Sequence, residues 1–420
     1  MSLPHLEARS LYIASRFGWG LCWSTIVTVN LVYMVVVVGL DPLQMVLVGT
    51  VLEASVFLFE IPTGIVADLY SRRLSVVIGH VLVGAGFLII GFTESFAVVL
   101  LSQVIWGIGA TFISGAFVAW LSGEIGVDSA SETIIRGSQL GYVGSFVGIL
   151  ISVVLAQYSL ALPIIFGSLG MILLGVAMAV LMPEVGFTPL KSEERETFAA
   201  MGRTFTEGVR LVSAKPLLIL MLLITLVFGA FSEGIDRLFT PYLITDFDFP
   251  ALGSLDTVVW WGIIAAISTV IGLTTTTLTR RFVRLNRPLM INWTLAGLVA
   301  GIVLATLGLA GVDGFVLGLA FYWLLGGLRS AYGPLTTVWL NQLLPERNKA
   351  TLLSMYGQAD AVGQVFGGPV IGGVARQASI AVALAWSAVV LSPALALYAR
   401  AARHLNAPAS AQESHGSKVD

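Results

Sequence analysis

Residues 60–73 read EIPTGIVADLYSRR and separate two long apolar runs. The first run covers about 43–66 and ends within this stretch, and the second run covers about 74–93 and follows it. An α-helix needs about 20 apolar residues to cross the hydrocarbon core of a bilayer, and each run reaches that length. The charged turn between them therefore predicts two membrane helices joined on one side of the membrane.

Composition extends this prediction to the whole chain. Of the 420 residues, 57% are hydrophobic and 11% are charged, whereas a soluble domain has roughly a quarter charged. The apolar runs lie at about 10–39, 43–66, 74–93, 96–121, 137–158, 161–182, 216–240, 257–279, 288–310, 314–340, 353–375 and 379–400. They are too long and unbroken for barrel strands. We therefore predict an all-α integral membrane protein with twelve transmembrane helices.

Positive charge assigns the loops to the two sides of the membrane, because short cytoplasmic loops are enriched in Lys and Arg. With the N-terminus inside, only Arg376 is clearly outside. The cations on the cytoplasmic side are then Arg9, Arg72, Arg73, Arg136, Lys191, Arg195, Arg203, Arg210, Lys215, Arg280, Arg281, Arg284, Arg287, Arg347, Lys349, Arg400, Arg403 and Lys418. Both termini are therefore expected in the cytoplasm.

One long polar interruption divides the chain. It predicts an N-terminal six-helix bundle at 1–183, a cytoplasmic linker at 184–215, a C-terminal six-helix bundle at 216–403 and a disordered cytoplasmic tail at 404–420. Two bundles of six helices suggest a pseudo-symmetric internal repeat, which many secondary transporters use. A bundle without such symmetry is the alternative.

Several function classes are excluded by what the sequence lacks. The only cysteine, Cys22, lies in an apolar run, and the four histidines are scattered, so no metal site is expected. A net charge of −2 gives no basic excess for nucleic acid. The chain has no H-E-x-x-H, G-x-S-x-G or P-loop sequence, so neither an intramembrane enzyme nor an ATP-driven pump is predicted. A membrane sensor that transports nothing is an alternative that the sequence leaves open.

The turn at 64–73 closely resembles the signature loop of the major facilitator superfamily, G-x-x-x-D-(R/K)-x-G-R-(R/K). The matching residues are Gly64, Asp68, Arg72 and Arg73. Leu69 stands where a basic residue is usual, and Ser71 where Gly is usual. The resemblance implies the major facilitator fold, with two six-helix bundles and this loop as a cytoplasmic gate.

Two contacts of this gate follow from the resemblance. Asp68 is expected to face the start of the eleventh helix, and Arg72 is expected to pair with Glu124 at the end of the fourth helix. Ordinary anchoring of a loop by positive charge is the alternative.

The eleventh apolar run contains GQVFGGPVIGG at 363–373. It is similar to the G-x-x-x-G-P-x-x-G-G motif that antiporters of the superfamily carry in the fifth helix. Its small residues and proline are Gly363, Gly367, Gly368, Pro369, Gly372 and Gly373. The fifth run of this chain has glycines at 137, 141, 144 and 148 but no proline. A face that only packs helices together is the alternative.

The fourth run resembles the family motif R-x-x-x-G-x-G, with Gln103 in place of the arginine implicated in proton coupling. If protons are coupled, another ionisable group must serve. A charged side chain at mid-bilayer costs about 2.5–3.5 kcal/mol, so such groups tend to be functional. The candidates are Glu53, Glu60, Glu233, Asp236, Arg237, Arg329 and Asp360.

These candidates allow two interpretations. We hypothesise that Glu53, Asp236 or Asp360 changes protonation during transport, while Arg237 and Arg329 hold partners or substrate. Glu233 and Arg237 are four residues apart on a helix and can pair. Buried pairs that only fix helix positions are the alternative.

Aromatic and polar residues of the first half could line a substrate cavity. The candidates are Trp23, Asn30, Tyr33 and Gln103. Aromatic residues near helix ends are more typical of membrane-interface anchors. His80 is expected to be an interior histidine.

The runs EIPTG at 60–64 and SGAFVAW at 114–120 look like those of bacterial multidrug exporters, including tetracycline and macrolide types. This resemblance implies a monomer in the bacterial inner membrane that exports small lipophilic compounds by proton antiport, with alternating access and no cofactor. Its partners would be a small-molecule substrate, protons and the lipid bilayer. An importer of a small metabolite, proton-coupled or facilitative, is the alternative.

Overall fold

The computed structural model describes residues 6–187, 206, 208–253, 255–283, 287–345 and 349–406. Most of the predicted linker, 188–205 with 207, and the tail residues 407–420 lie outside the described residues. Of the predicted loop cations, Lys191, Arg195, Arg203, Arg284, Arg347 and Lys418 also lie outside them. Within the described part of the chain there are helices and turns but no β-strand, and one isolated bridge joins Leu252 and Leu255.

The helices before the linker are α1 Ala8–Val36, α2 Pro42–Leu69, α3 Arg72–Ile90, α4 Phe96–Ile113, α5 Ala116–Ile125, α6 Val127–Ala156 and α7 Ala161–Leu181. Those after it are α8 Pro216–Asp246, α9 Val259–Phe282, α10 Pro288–Ala310, α11 Phe315–Leu343, α12 Lys349–Gln377, α13 Ile380–Leu391 and α14 Pro393–Asn406. The last helix ends at Asn406, so the first three residues of the predicted tail, 404–406, are helical.

Eleven stretches of described helix are long and apolar enough to cross a membrane. Two of these stretches combine two helices each, α4 with α5 and α13 with α14. The helix α12 has 29 residues but is not among the eleven, because Asp360, its glutamines and its many glycines make it less apolar. The chain is thus a multi-pass helical membrane protein, and the count of twelve spans stays a prediction.

The predicted fourth span, 96–121, is interrupted at Ser114 and Gly115. Gly115 has a φ of 71°, in the left-handed region that glycine adopts without a steric penalty. The helix α4 therefore ends at Ile113, and α5 begins at Ala116. At this break the hydroxyl of Ser114 donates a hydrogen bond to Oε1 of Glu60 in α2 at 3.0 Å.

The described residues form two compact units. The first takes in the described residues of 1–195 and 249–266, and the second takes in those of 196–248 and 267–406. The predicted division of the chain differs from these units by the segment 249–266.

In the first unit, α1 packs closely against α6 through glycines. A Cβ on Gly144 would overlap the carbonyl oxygen of Phe17, and a Cβ on Gly148 would overlap that of Leu21. Small residues let membrane helices approach this closely because no side chain separates the two backbones. The glycines of the predicted fifth helix therefore pack against α1.

In the second unit, α8 packs against α12 in the same way. A Cβ on Gly363 would overlap the carbonyl oxygen of Leu226, and a Cβ on Gly367 would lie 2.7 Å from Cα of Ala230. A Cβ on Gly373 would meet nothing within 4 Å. The first part of the string at 363–373 is thus a helix-packing face, whereas its last glycine is in open space.

We predict that Gly363→Ala destabilises the protein, because the added methyl group overlaps backbone that cannot move aside. Overpacking of this kind costs about 1–3 kcal/mol. The measurement is the apparent melting temperature of the purified protein in a neutral detergent.

Gly357→Ala is the matched control, since it lies on the same helix with nothing within 4 Å of the new Cβ. It should leave the melting temperature unchanged or slightly higher, because Ala favours helix over Gly by about 1 kcal/mol. Equal melting temperatures for the two variants would contradict the packing account.

Candidate functional site

The signature loop connects α2 to α3. Asp68 is exposed in the last turn of α2, and Ser71 is the residue that precedes α3. A Cβ on Gly64 would meet nothing within 4 Å, so close packing does not require a glycine there in this structure. The expected contact of Asp68 with the eleventh helix stays a prediction.

Ser71 and Glu184 together cap the N-terminus of α3. The Ser71 hydroxyl accepts a hydrogen bond from the Leu74 amide at 2.9 Å and donates one to Oε2 of Glu184 at 2.6 Å. The Arg73 amide donates to Oε1 of the same carboxylate at 2.9 Å. A carboxylate is stabilised here because the amides at a helix N-terminus carry partial positive charge. Ser71, which stands where the family usually has Gly, therefore has a structural role as the cap of α3.

Arg72 and Glu124 do not form the predicted ion pair in this structure. Nη1 of Arg72 donates to the carbonyl oxygen of Ala119 at 2.9 Å, and its guanidinium carbon lies 5.7 Å from the centroid of the Phe187 ring. Oε1 of Glu124 instead accepts from the Gly186 amide at 2.7 Å. Both side chains therefore bind residues 183–187, which we call the α7 exit segment.

Two further hydrogen bonds fix the α7 exit segment and the end of α7 that precedes it. Nε1 of Trp120 donates to the carbonyl oxygen of Pro183 at 2.6 Å, and the Arg73 guanidinium donates to the carbonyl oxygen of Ala179 near the end of α7. The signature loop and α5 thus share the α7 exit segment as a common anchor. Sequence reasoning missed Glu184 because it lies more than 100 residues from the loop that it caps.

In the second unit, Asp236 of α8 and Arg329 of α11 form a bidentate ion pair. Nη1 and Nη2 of Arg329 donate to the two carboxylate oxygens of Asp236 at 2.6 and 2.8 Å. Parallel hydrogen bonds of this kind are stronger and more directional than a single charged contact. Both residues were candidates from the sequence, but 93 residues separate them.

Glu233 and Arg237 form a second pair, within α8. Nε of Arg237 donates to Oε1 of Glu233 at 3.1 Å, and 2% of the Glu233 side chain is exposed. Removing one member of a buried pair leaves the other charge unpaired, which is strongly destabilising. This pair is therefore suited to fixing helix position.

Asp360 of α12 lies against α8. Its Oδ2 accepts a hydrogen bond from Gln364 at 2.9 Å, and its Oδ1 lies 3.0 Å from where a Cβ on Gly229 would be. The close approach of α12 to α8 thus brings a third carboxylate to the helix that carries the other two.

A cavity of about 360 Å³ adjoins the Asp236–Arg329 pair. Its lining residues are Phe228, Gly326, Arg329, Ser330, Tyr332 and Gly333. The rings of Phe228 and Tyr332 stack with their centroids 4.1 Å apart. The second unit therefore places an aromatic wall beside a guanidinium, in a volume at the lower end of the range for small-molecule sites, roughly 300–1,000 Å³.

The four candidate cavity residues of the first unit are not all brought together. Trp23 lies in an aromatic cluster, 5.7 Å from the rings of both Phe87 and Trp106. Gln103 is buried one turn before Trp106, with no hydrogen bond to its Oε1. Asn30 is buried with its Oδ1 unpaired, and the Tyr33 hydroxyl donates to the Thr93 carbonyl oxygen at 3.2 Å.

The other candidates of the first unit lie in α2 and α3. Glu53 is half-buried in α2, and Glu60 is hydrogen-bonded at the α4–α5 break. His80 is buried, with its Nδ1 2.7 Å from the Val76 carbonyl oxygen. Among the described side chains, no group of three His, Cys, Asp or Glu residues could hold a metal ion.

Long apolar helices, paired intramembrane charges and an aromatic cavity are typical of polytopic membrane proteins that move small molecules. Comparison with known families agrees with this class: residues 11–312 match the family model of the Major Facilitator Superfamily. The chain belongs to the Major Facilitator Superfamily, and it is a transporter.

Individual relatives are distant. An uncharacterised MFS-type transporter of Bacillus subtilis (strain 168), YxaM, is 24% identical over 366 residues, covering 85% of this chain and 87% of that protein. A POT family transporter in complex with 5-aminolevulinic acid has a TM-score of 0.73 at 14% identity, over 97% of this chain and 99% of that chain. The nucleoside transporter NupG has a TM-score of 0.72 at 14% identity, over 96% and 100%. These two structures show a shared fold.

We predict that Ser71→Ala lowers stability by about 0.5–2 kcal/mol, the usual effect of removing an N-terminal helix cap. The variant loses both the cap of α3 and the hydrogen bond to Glu184. Apparent melting temperature in neutral detergent measures the effect.

Ser95→Ala serves as the control, because Ser95 precedes α4 without a side-chain capping bond. Its melting temperature should equal that of the wild type. If the melting temperature of Ser71→Ala also equalled that of the wild type, the capping role of Ser71 would be contradicted.

Proposed function

We propose that this chain is a proton-coupled secondary transporter that exports small lipophilic compounds by alternating access. The observation that carries the proposal is the Asp236–Arg329 pair, which joins α8 to α11 beside an aromatic cavity.

The accessibility of this pair supports the proposal. Asp236 and Arg329 lie well inside two long apolar helices, yet 48% and 24% of their side-chain surfaces are exposed. Charged groups at that depth face a bundle interior or a water-filled cavity, because exposure to lipid is too costly. Protons and substrate can therefore reach the pair through water.

The chemistry of the pair supplies a means of coupling. An ionised Asp236 holds the guanidinium of Arg329 with both oxygens. A protonated Asp236 loses one of these acceptors and the charge attraction, so α8 and α11 are less strongly joined. Binding and release of one proton thus changes a contact between two helices of the second unit. Asp360 and Glu233 are the further acids of this cluster.

The proposed export rests on the resemblance of two sequence runs to those of exporters, and the apolar substrate rests on the aromatic wall. The exporter-like runs at 60–64 and 114–120 meet in the structure, since Ser114 donates a hydrogen bond to Glu60. The aromatic wall of Phe228 and Tyr332 suits an apolar substrate. In the orientation proposed here, the signature loop gates the cytoplasmic side, and the protein is a monomer of the bacterial inner membrane.

Import of a small metabolite is the second candidate. It is favoured by the solved structures of similar fold, which include a peptide transporter and a nucleoside transporter. The direction of proton movement separates the two mechanisms, because antiport and symport move protons in opposite directions for the same substrate movement.

The test uses proteoliposomes that enclose the pH-sensitive dye pyranine. A panel of radiolabelled lipophilic compounds without a group titrating near neutral pH is added outside. Antiport predicts that the interior becomes more alkaline as a compound enters, whereas symport predicts that it becomes more acidic. We expect antiport for at least one compound, and at least a tenfold smaller pH change for Asp236→Asn, with exchange of labelled compound retained.

Asp246→Asn is the control, because Asp246 ends the same helix outside the charge cluster. It should behave as the wild type. A pH change that Asp236→Asn leaves intact would remove Asp236 from the mechanism, and an acidic response would replace export by proton symport. Absence of movement for every compound would leave the transport proposal without support.

A further inference from the structure

Arg16 is an intramembrane cation without a protein partner in the described residues. It is the ninth residue of α1, a helix of 29 residues that is long and apolar enough to span the membrane. Its Nε is buried and makes no hydrogen bond. The arginines that were candidates from the sequence differ, because Arg237 pairs with Glu233 and Arg329 pairs with Asp236.

No carboxylate of the described chain lies within ion-pair distance of Arg16. Among the described residues, the titratable groups near Arg16 include Tyr12 on the same helix and His80 of α3, neither of which supplies a negative charge at neutral pH. An isolated guanidinium at this depth is costly, and such groups mark substrate or ion pathways. The guanidinium of Arg16 thus has no counter-charge among the described residues, and it is available to an anion.

The position of Arg16 is fixed by helix packing. A Cβ on Gly137 of α6 would lie 2.7 Å from the Tyr12 ring and 3.1 Å from Cγ of Arg16, so Gly137 leaves the room that the arginine stem occupies. The stem is held between α1 and α6, whereas the charged end of the side chain has no partner among the described residues.

An aromatic surface continues from Arg16 along the same face of α1. Trp19 and Trp23 follow Arg16 by three and seven residues, which places all three on one side of the helix. The Trp19 and Trp23 rings stack at 5.9 Å, and the Trp106 ring of α4 lies 5.7 Å from that of Trp23. The three tryptophans are half-buried, so part of this surface is accessible.

We propose that Arg16 and the tryptophans Trp19, Trp23 and Trp106 form a binding site for an aromatic organic anion. The anionic group, a carboxylate, sulfonate or phosphate, pairs with the planar guanidinium, which can bind two oxygens at once. The ring of the ligand stacks on the tryptophans. The binding site itself does not depend on the proposed transport function. Only the assignment of this anion as the class of substrate rests on that function.

The test compares three compounds that share a phenethyl group and do not titrate near neutral pH: 2-phenylethanesulfonate, 2-phenylethanol and phenethyltrimethylammonium. Isothermal titration calorimetry of the whole protein in a neutral detergent gives the dissociation constant of each. We expect the sulfonate to bind the wild type at least tenfold more tightly than the other two compounds. Equal affinities, or a preference for the ammonium compound, would overturn the proposal.

Arg16→Gln should abolish this preference, and a preference that survives in the variant would also overturn the proposal. The matched control is Arg136→Gln, because Arg136 of α6 is an exposed arginine paired with Glu132. If Arg16→Gln is not recovered folded, Arg16→Lys replaces it. The lysine variant should bind the sulfonate at least threefold more weakly, because it lacks the planar fork, and unchanged affinity would count against the site.

This experiment needs no proton gradient, so it separates the two proposals. Selective anion binding without any substrate-linked pH change in proteoliposomes would leave the site standing and remove the proton coupling. Proton-linked movement of neutral compounds without anion selectivity would support the proton coupling and overturn the anion-binding site.

Discussion

A charge inside the membrane must be matched by a partner, and this constraint organises the second unit. Asp236 and Arg329 meet this requirement between two helices, with two hydrogen bonds at 2.6 and 2.8 Å. Glu233 and Arg237 meet it within one helix. The first pair is partly exposed and the second is almost completely buried, so the two pairs suit different roles. We propose that the exposed pair responds to a proton and that the buried pair holds α8 in place.

Close helix packing makes such pairing possible. Gly363 and Gly367 allow α12 to lie directly on α8, and this contact brings Asp360 to the helix that carries Glu233 and Asp236. Glycines of α6 likewise allow α1 to lie directly on α6 in the first unit, where Gly137 packs against Arg16 and no described carboxylate pairs with it. The two units therefore share a way of packing and differ in how their charges are balanced.

The sequence predicted the features that depend on local pattern. Apolar runs indicated membrane helices, and the four-residue spacing of Glu233 and Arg237 indicated that they can pair. Contacts between distant residues could not be predicted, because spacing along the chain does not say which helices are neighbours. Asp236 and Arg329 were both candidates but not a predicted pair, and Glu184 was not a candidate. The predicted Arg72–Glu124 pair does not form, since both side chains bind the α7 exit segment. The interruption at Gly115 was also missed, because the residues around it are as apolar as a continuous span.

The central claim is that Asp236 and Arg329 act as one unit that joins α8 to α11. A double-mutant cycle on apparent stability, with Asp236→Asn, Arg329→Gln and the double variant, tests it most directly. If the residues are coupled, the double variant loses less stability than the sum of the two single losses, with a difference of about 0.5–3 kcal/mol. Losses that add to within about 0.3–0.5 kcal/mol, as independent sites do, would contradict the claim.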